Sequence, residues 1–110
     1  MTKDKRIKKE FDRLARLFAE LPSNKLELVT PLMENAAFMR ITLDDLQEQI
    51  VKGGTTDEYK NGENQFGRKI SADIQAYNTT MKVYTSVIDR LAKMLPAEAR
   101  MSKLEAFTNE

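Results

Sequence analysis

From Ile7 the apolar positions fall at Ile7, Phe11, Leu14, Phe18 and Leu21, a 4-3-4-3 spacing. That spacing puts them on one side of an α-helix. Pro22 restricts the backbone of Leu21 and closes the segment, so a first helix is predicted over about 3–21. A second run, Val29, Leu32, Ala36, Met39, Leu43, Leu46 and Ile50, alternates three and four and predicts a helix over about 24–52. Asn24 and Glu27 have capping-box spacing at its start, and Gly53-Gly54 ends it. Leu26, Met33, Ala37 and Ile41 form a further apolar set on another arc. A helix apolar on two sides touches more than one neighbour. Pro31 lies inside this run. Either the helix kinks there, or a short turn at 24–29 precedes a main helix capped by Thr30, with Pro31 at its first position. Thr42 with Asp45 offers another cap and so a break near residue 42.

The third pattern is the most regular. Ile70, Ile74, Tyr77, Met81, Tyr84, Ile88, Leu91 and Leu95 keep a 4-3 alternation without a miss, predicting a helix over about 71–95. Ser71 suits its N-cap and Pro96 marks its stop; the rod would be about 37 Å long. Two long heptad-patterned helices joined by one connection predict an all-α fold: an antiparallel hairpin with the N-terminal helix folded against it. Residues 1–96 read as a single helical domain. Residues 97–110 read as a polar tail, with Met101, Leu104 and Phe107 spaced for a short helix that orders on a partner. The connection Gly53–Lys69 exceeds the usual length of about 2–8 residues. It carries an Asn61-Gly62 turn signal and isolated Tyr59 and Phe66, and reads as a surface loop or a contact element.

Composition narrows the chemistry. The chain has 110 residues, 41% hydrophobic and 32% charged, with four Gly, three Pro and no Cys, His or Trp. One soluble globular domain fits that size and balance. Without His or Cys there is no Ser-His-Asp triad, thiol nucleophile, disulfide framework or zinc site of the usual N/S type. No stretch approaches the roughly 20 apolar residues that span a bilayer, and no apolar signal region follows the charged start. The simplest compartment is the cytosol.

Charge is unevenly placed. Residues 1–16 hold seven bases against three acids, residues 17–66 four against nine, and residues 67–110 seven against five. A basic arm beside an acidic middle suggests an anionic partner for the arm. Lys5, Arg6, Lys9, Arg13 and Arg16 fall opposite the apolar face of the first helix. Lys5, Lys9 and Arg13 are successive i, i+4 neighbours of like sign, each pair costing a few tenths of a kcal/mol. A polyanion-facing surface explains them; so does an ordinary solvated face.

Catalytic motifs are not found. Residues 62–69, GENQFGRK, resemble a phosphate loop, but Arg68 stands where Lys is required, Ile70 follows Lys69, and no strand leads in. Asp44-Asp45 and Asp57-Glu58 are sequence neighbours that point apart on a helix. Tyr77 and Tyr84 lie on the heptad stripe, as core or interface. An enzyme is not expected. Three readings remain: a homo-oligomeric nucleic-acid adaptor, a helical protein-interaction module that binds no nucleic acid, and a membrane-surface protein. The last ranks lowest, because Phe11 and Phe18 are needed to cover the hairpin.

The third helix carries a resemblance. Ile74-Gln75-Ala76-Tyr77-Asn78, then Lys82, Tyr84, Ile88, Arg90-Leu91 and Leu95-Pro96-Ala97-Glu98-Ala99-Arg100 resemble the C-terminal half of small terminase subunits of tailed bacteriophages. Glu34-Asn35-Ala36-Ala37-Phe38-Met39 is also similar to a segment of such proteins from phages of Gram-positive hosts. The likeness covers most of residues 24–104. It implies a non-catalytic DNA-packaging adaptor in the host bacterial cytoplasm, forming a closed ring of about eight to eleven copies. It further implies two partners, double-stranded viral DNA and a large terminase subunit that holds the ATPase and nuclease activities. No metal, cofactor or membrane enters. On this reading Lys5, Arg6, Lys9, Arg13 and Arg16 contact phosphates, with Arg68 and Lys69 as a second cluster. Phe38, Ile41, Tyr77 and Tyr84 form the oligomer interface, and Arg100, Met101, Lys103, Leu104 and Phe107 dock the large subunit.

Overall fold

The computed structural model describes residues 1–53 and 71–95 in full, and the backbone of residues 56–60 and 66–70. Helix α1 spans Lys3–Leu17. Thr2 caps it, its Oγ1 accepting the Lys5 N–H at 3.2 Å, and Asp4 and Arg16 sit at the ends that suit their charges. The helix stops at Leu17 and does not reach residue 21. Phe18 leaves helical geometry, and the Leu21 N–H bonds the Phe18 carbonyl at 3.1 Å in a turn. That turn buries Phe18 and Leu21 together, as the last apolar residue before a proline cannot do from a continuing helix.

Helix α2 spans Ser23–Gly53. It begins directly after Pro22, whose carbonyl accepts the Lys25 and Leu26 N–H groups. Asn24 therefore lies inside the first turn, and the expected capping box does not form the start. The helix runs unbroken through Pro31 and Thr42, so neither alternative cap exists. Pro31 brings no N–H to the carbonyl of Glu27, four residues back. Thr30, beside it, turns its hydroxyl inward and donates to the Leu26 carbonyl at 2.6 Å.

The connection is not simply a loop: contrary to expectation a strand does precede residues 62–69, although a second strand and not a helix takes up residues 66–70. Strand β1, Thr56–Lys60, pairs antiparallel with β2, Phe66–Ile70, in a register from Thr56 opposite Ile70 to Lys60 opposite Phe66. Helix α3 then spans Ala72–Ala92, capped by Ser71, whose Oγ accepts the Asp73 N–H at 3.1 Å. It ends before residue 95: Met94 and Leu95 donate to Leu91 and Ala92 in a tighter turn.

The core is helical. Leu14 and Phe18 from the first helix and its turn meet Val29, Met33, Ala36, Ala37 and Leu43 of α2 and Tyr84, Leu91 and Leu95 of the α3 region. Helix α2 packs against both α1 and α3, which is why its apolar residues occupy two arcs. Ala36 and Ala37 are fully buried, and their small side chains let neighbouring helices approach closely. Burying each Leu or Val contributes about 1.5–3 kcal/mol. The first helix is thus held with its outer side to solvent.

Candidate functional site

The cations of α1 fall into two groups, separated by their angle around the helix. At 100° per residue from the apolar centre at Ile7, Lys5, Lys9 and Arg16 lie at about 160–200°, whereas Arg6 and Arg13 lie at about 240–260°, on the shoulder. The shoulder groups have carboxylate partners. Arg6 Nη1 donates to Asp45 Oδ1 on α2 at 2.7 Å, and Lys3 Nζ reaches Asp45 Oδ2 at 3.8 Å. Arg13 forks onto Glu10, Nε to Oε1 at 2.8 Å and Nη2 to Oε2 at 2.6 Å. Those two side chains are only 18% and 11% exposed, so the fork is a bidentate, partly desolvated pair. On the other side Lys8 pairs with Asp12 at 3.3 Å.

Lys5, Lys9 and Arg16 are exposed, and none has a carboxylate partner among the described residues. Lys9 and Arg16 line, with Met1, Arg6, Arg13, Ile41 and the two acids Glu10 and Asp12, an open concavity of about 370 Å³ in which four basic side chains outnumber two carboxylates. Its cations suit an anion. Among the described residues, no cluster of three His, Asp, Glu or Cys is placed to hold a metal ion, and no helix is long and apolar enough to cross a membrane.

A half-exposed ion pair on α2 stands beside the buried Tyr84. The Arg40 guanidinium sits 5.4 Å from the Tyr84 ring centroid and donates to Asp44 Oδ1 at 2.7 Å. Burial lowers the Arg40 pKa, but the hydrogen bond and charge of Asp44 outweigh it, and the group is held more firmly charged than usual. Burial pushes the Tyr84 phenol above its ordinary value, with the Arg40 charge opposing. Among the described residues, neither the Tyr84 hydroxyl nor the buried Thr42 Oγ1 has a hydrogen-bond partner.

Two of the expected interface residues are buried. Tyr84 is 6% exposed and Ile41 8%; both are covered within a single chain and offer little surface to another. Tyr77 is half-buried against the core. Phe38 is 52% exposed, with Lys3 Nζ 5.2 Å from its ring centroid. Arg68 and Lys69 stand on β2, apart from α1 in the chain, opposite Glu58 and Asp57 in the register. Arg100, Met101, Lys103, Leu104 and Phe107 lie outside the described residues. Lys3 and Asp45 escaped sequence reasoning, because a partner 39 residues beyond Arg6 leaves no local pattern. Their one signal was the helical angle of Arg6.

Compared with family models, curated proteins and solved structures, the chain matches none.

Proposed function

We propose that this chain is a non-catalytic DNA-packaging adaptor of the small-terminase type, which holds duplex DNA against the outer ridge of α1 and modulates a large ATPase and nuclease subunit. The observation that carries the reading is the ridge itself: Lys5, Lys9 and Arg16, exposed and without a carboxylate partner among the described residues. Like charges stacked on one helix side oppose the helix, and a polyanion removes that cost. The ridge is about 16 Å long, and duplex DNA carries one charge per roughly 1.7 Å of axis. Several phosphates can therefore face it at once. In this reading α2 and α3 form an antiparallel hairpin that assembles chains into a ring, presenting many ridges to one duplex, and the C-terminal tail docks the large subunit. The sequence resemblance noted over most of residues 24–104 is in keeping with the same assignment.

Binding to a labelled duplex across a salt series tests it. Each phosphate contact gives a slope of about −0.9 in log K against log salt, so the three ridge cations contribute at least about −2.7 per bound chain. Lys9→Glu with Arg16→Glu should abolish retention while the helical circular dichroism is kept; unchanged retention rejects the reading. Arg13, forked to Glu10, is unsuited to this test. Exposed Leu28 and Phe38 favour a second reading, a helical homo-oligomeric module that binds only protein. Self-association with no affinity for DNA at low salt would select it.

A further inference from the structure

Asp45 stands out from the other acids near α1. Glu10 and Asp12 pair within their own helix, whereas Asp45 reaches across from α2 and receives two α1 cations, Arg6 and Lys3. The three side chains are 34–44% exposed, and exposed ion pairs are held weakly. Arg6 also lines the same concavity as Lys9 and Arg16, so its guanidinium lies beside the unpartnered ridge. Arg13 differs: its partner travels on the same helix, and its fork is more deeply buried.

We propose that Asp45 is a displaceable internal counter-ion, occupying Arg6 and Lys3 until a polyphosphate backbone on the α1 ridge takes them from it. A carboxylate offers a guanidinium the same pair of acceptor oxygens as a phosphate, so the exchange needs only rotation of the Arg6 side chain. A duplex presents many phosphates and releases condensed counter-ions on binding, which a lone exposed carboxylate cannot match. Asp45 therefore weakens binding of DNA and all other polyanions, and raises the threshold at which the chain engages them. The inference rests on the proposed DNA-binding function.

Four proteins decide it: wild type, Asp45→Asn, Asp89→Asn and Asp45→Asn/Arg6→Gln, each titrated with a labelled duplex at fixed salt. Asp89→Asn makes the same charge change on α3, where Asp89 pairs with Lys93. Asp45→Asn should bind tighter by up to roughly fivefold. Asp89→Asn should match wild type, and adding Arg6→Gln should erase the gain and flatten the salt slope by about 0.9. If wild type binds but Asp45→Asn binds no tighter, or the gain survives without Arg6, or Asp89→Asn shows it too, the exchange is rejected and the DNA reading stands. Wild type that binds no duplex at any salt rejects the DNA reading itself. Should Asp45→Asn fail to fold, Arg6→Gln alone reads the same point: weaker binding supports the exchange, unchanged binding overturns it.

Discussion

Lys9 and Arg13 are one turn apart on α1 and carry the same charge, yet they do different work. Arg13 neutralises Glu10, whose carboxylate is nearly buried, and a carboxylate left there without its partner carries a desolvation penalty. Arg13→Ala is expected to lower unfolding free energy by about 1–3 kcal/mol, while Lys9→Ala, on the open side, stays within about 0.5 kcal/mol of wild type. Urea titrations with unchanged m-values would measure both; equal effects would merge the two groups of cations into one. Tyr84 supplies a second test. Its hydroxyl is buried without a hydrogen-bond partner among the described residues, so Tyr84→Phe removes an unsatisfied group and is expected to leave stability unchanged or raise it by about 1 kcal/mol at neutral pH. The sign of its pH dependence follows from burial. The folded phenol titrates above its unfolded value near 10, so the unfolded chain loses that proton first. Stability conferred by the neutral phenol is full below about pH 10 and falls as pH rises through the folded value. Between pH 9 and 11 wild type should lose stability faster than Tyr84→Phe, and parallel curves would show the phenol to be solvated.

Pro31 sets the corresponding question for an element. It stands exposed in the interior of α2, so the Glu27 carbonyl is left without its helical donor. Pro31→Ala restores that donor and is expected to stabilise the protein by about 1–3 kcal/mol, seen as a higher thermal midpoint. A lower midpoint would mean that packing of α1 and α3 depends on the local geometry that proline imposes. The helices themselves were legible in the apolar spacing, because burial against neighbours selects one side of each and leaves a 3-4 record along the chain. Their ends were less so. Asn24 has the right chemistry for a cap, but Pro22 already supplies the first carbonyl of α2, and Leu21 reaches the core through a turn. The ribbon left little trace: Thr56–Lys60 and Phe66–Ile70 are short and charge-rich, and pairing across a connection is a non-local interaction that composition records weakly. The Asn61-Gly62 turn signal was its one local mark. The basic surface was half legible. Counting charges finds seven cations on α1, and only the helical angle separates Lys5, Lys9 and Arg16 from Arg6 and Arg13 on the shoulder, whose partners are Asp45 and Glu10.

At the scale of the molecule, the proposed ring can be set against the shape of the chain. The radius of gyration is 18.1 Å and the long axis 63 Å, against about 13 Å for the radius of a compact domain of this length. So extended a chain leaves apolar groups uncovered: Leu28, Phe38, Val51 and Val83 are all more than half exposed. Phe38 is the largest of them. Its ring is partly covered by Lys3, a cation–π contact that contributes about 0.5–1 kcal/mol at such sites. Full burial of a Phe contributes about 1.5–3 kcal/mol, so covering its remaining surface against a second copy adds roughly half of that at each interface. In a closed ring every chain gains the contact, and a charge at position 38 would be buried in each one. Phe38→Glu is therefore expected to convert an oligomer into a species of 12.6 kDa by light scattering. The helical circular dichroism should be retained, since the position lies outside the core. DNA affinity should fall in parallel, because separate ridges no longer act on one duplex. A wild-type protein that stays monomeric with and without duplex would remove the ring from the proposed function. A Phe38→Glu oligomer of unchanged mass would move the interface elsewhere on α2 or α3.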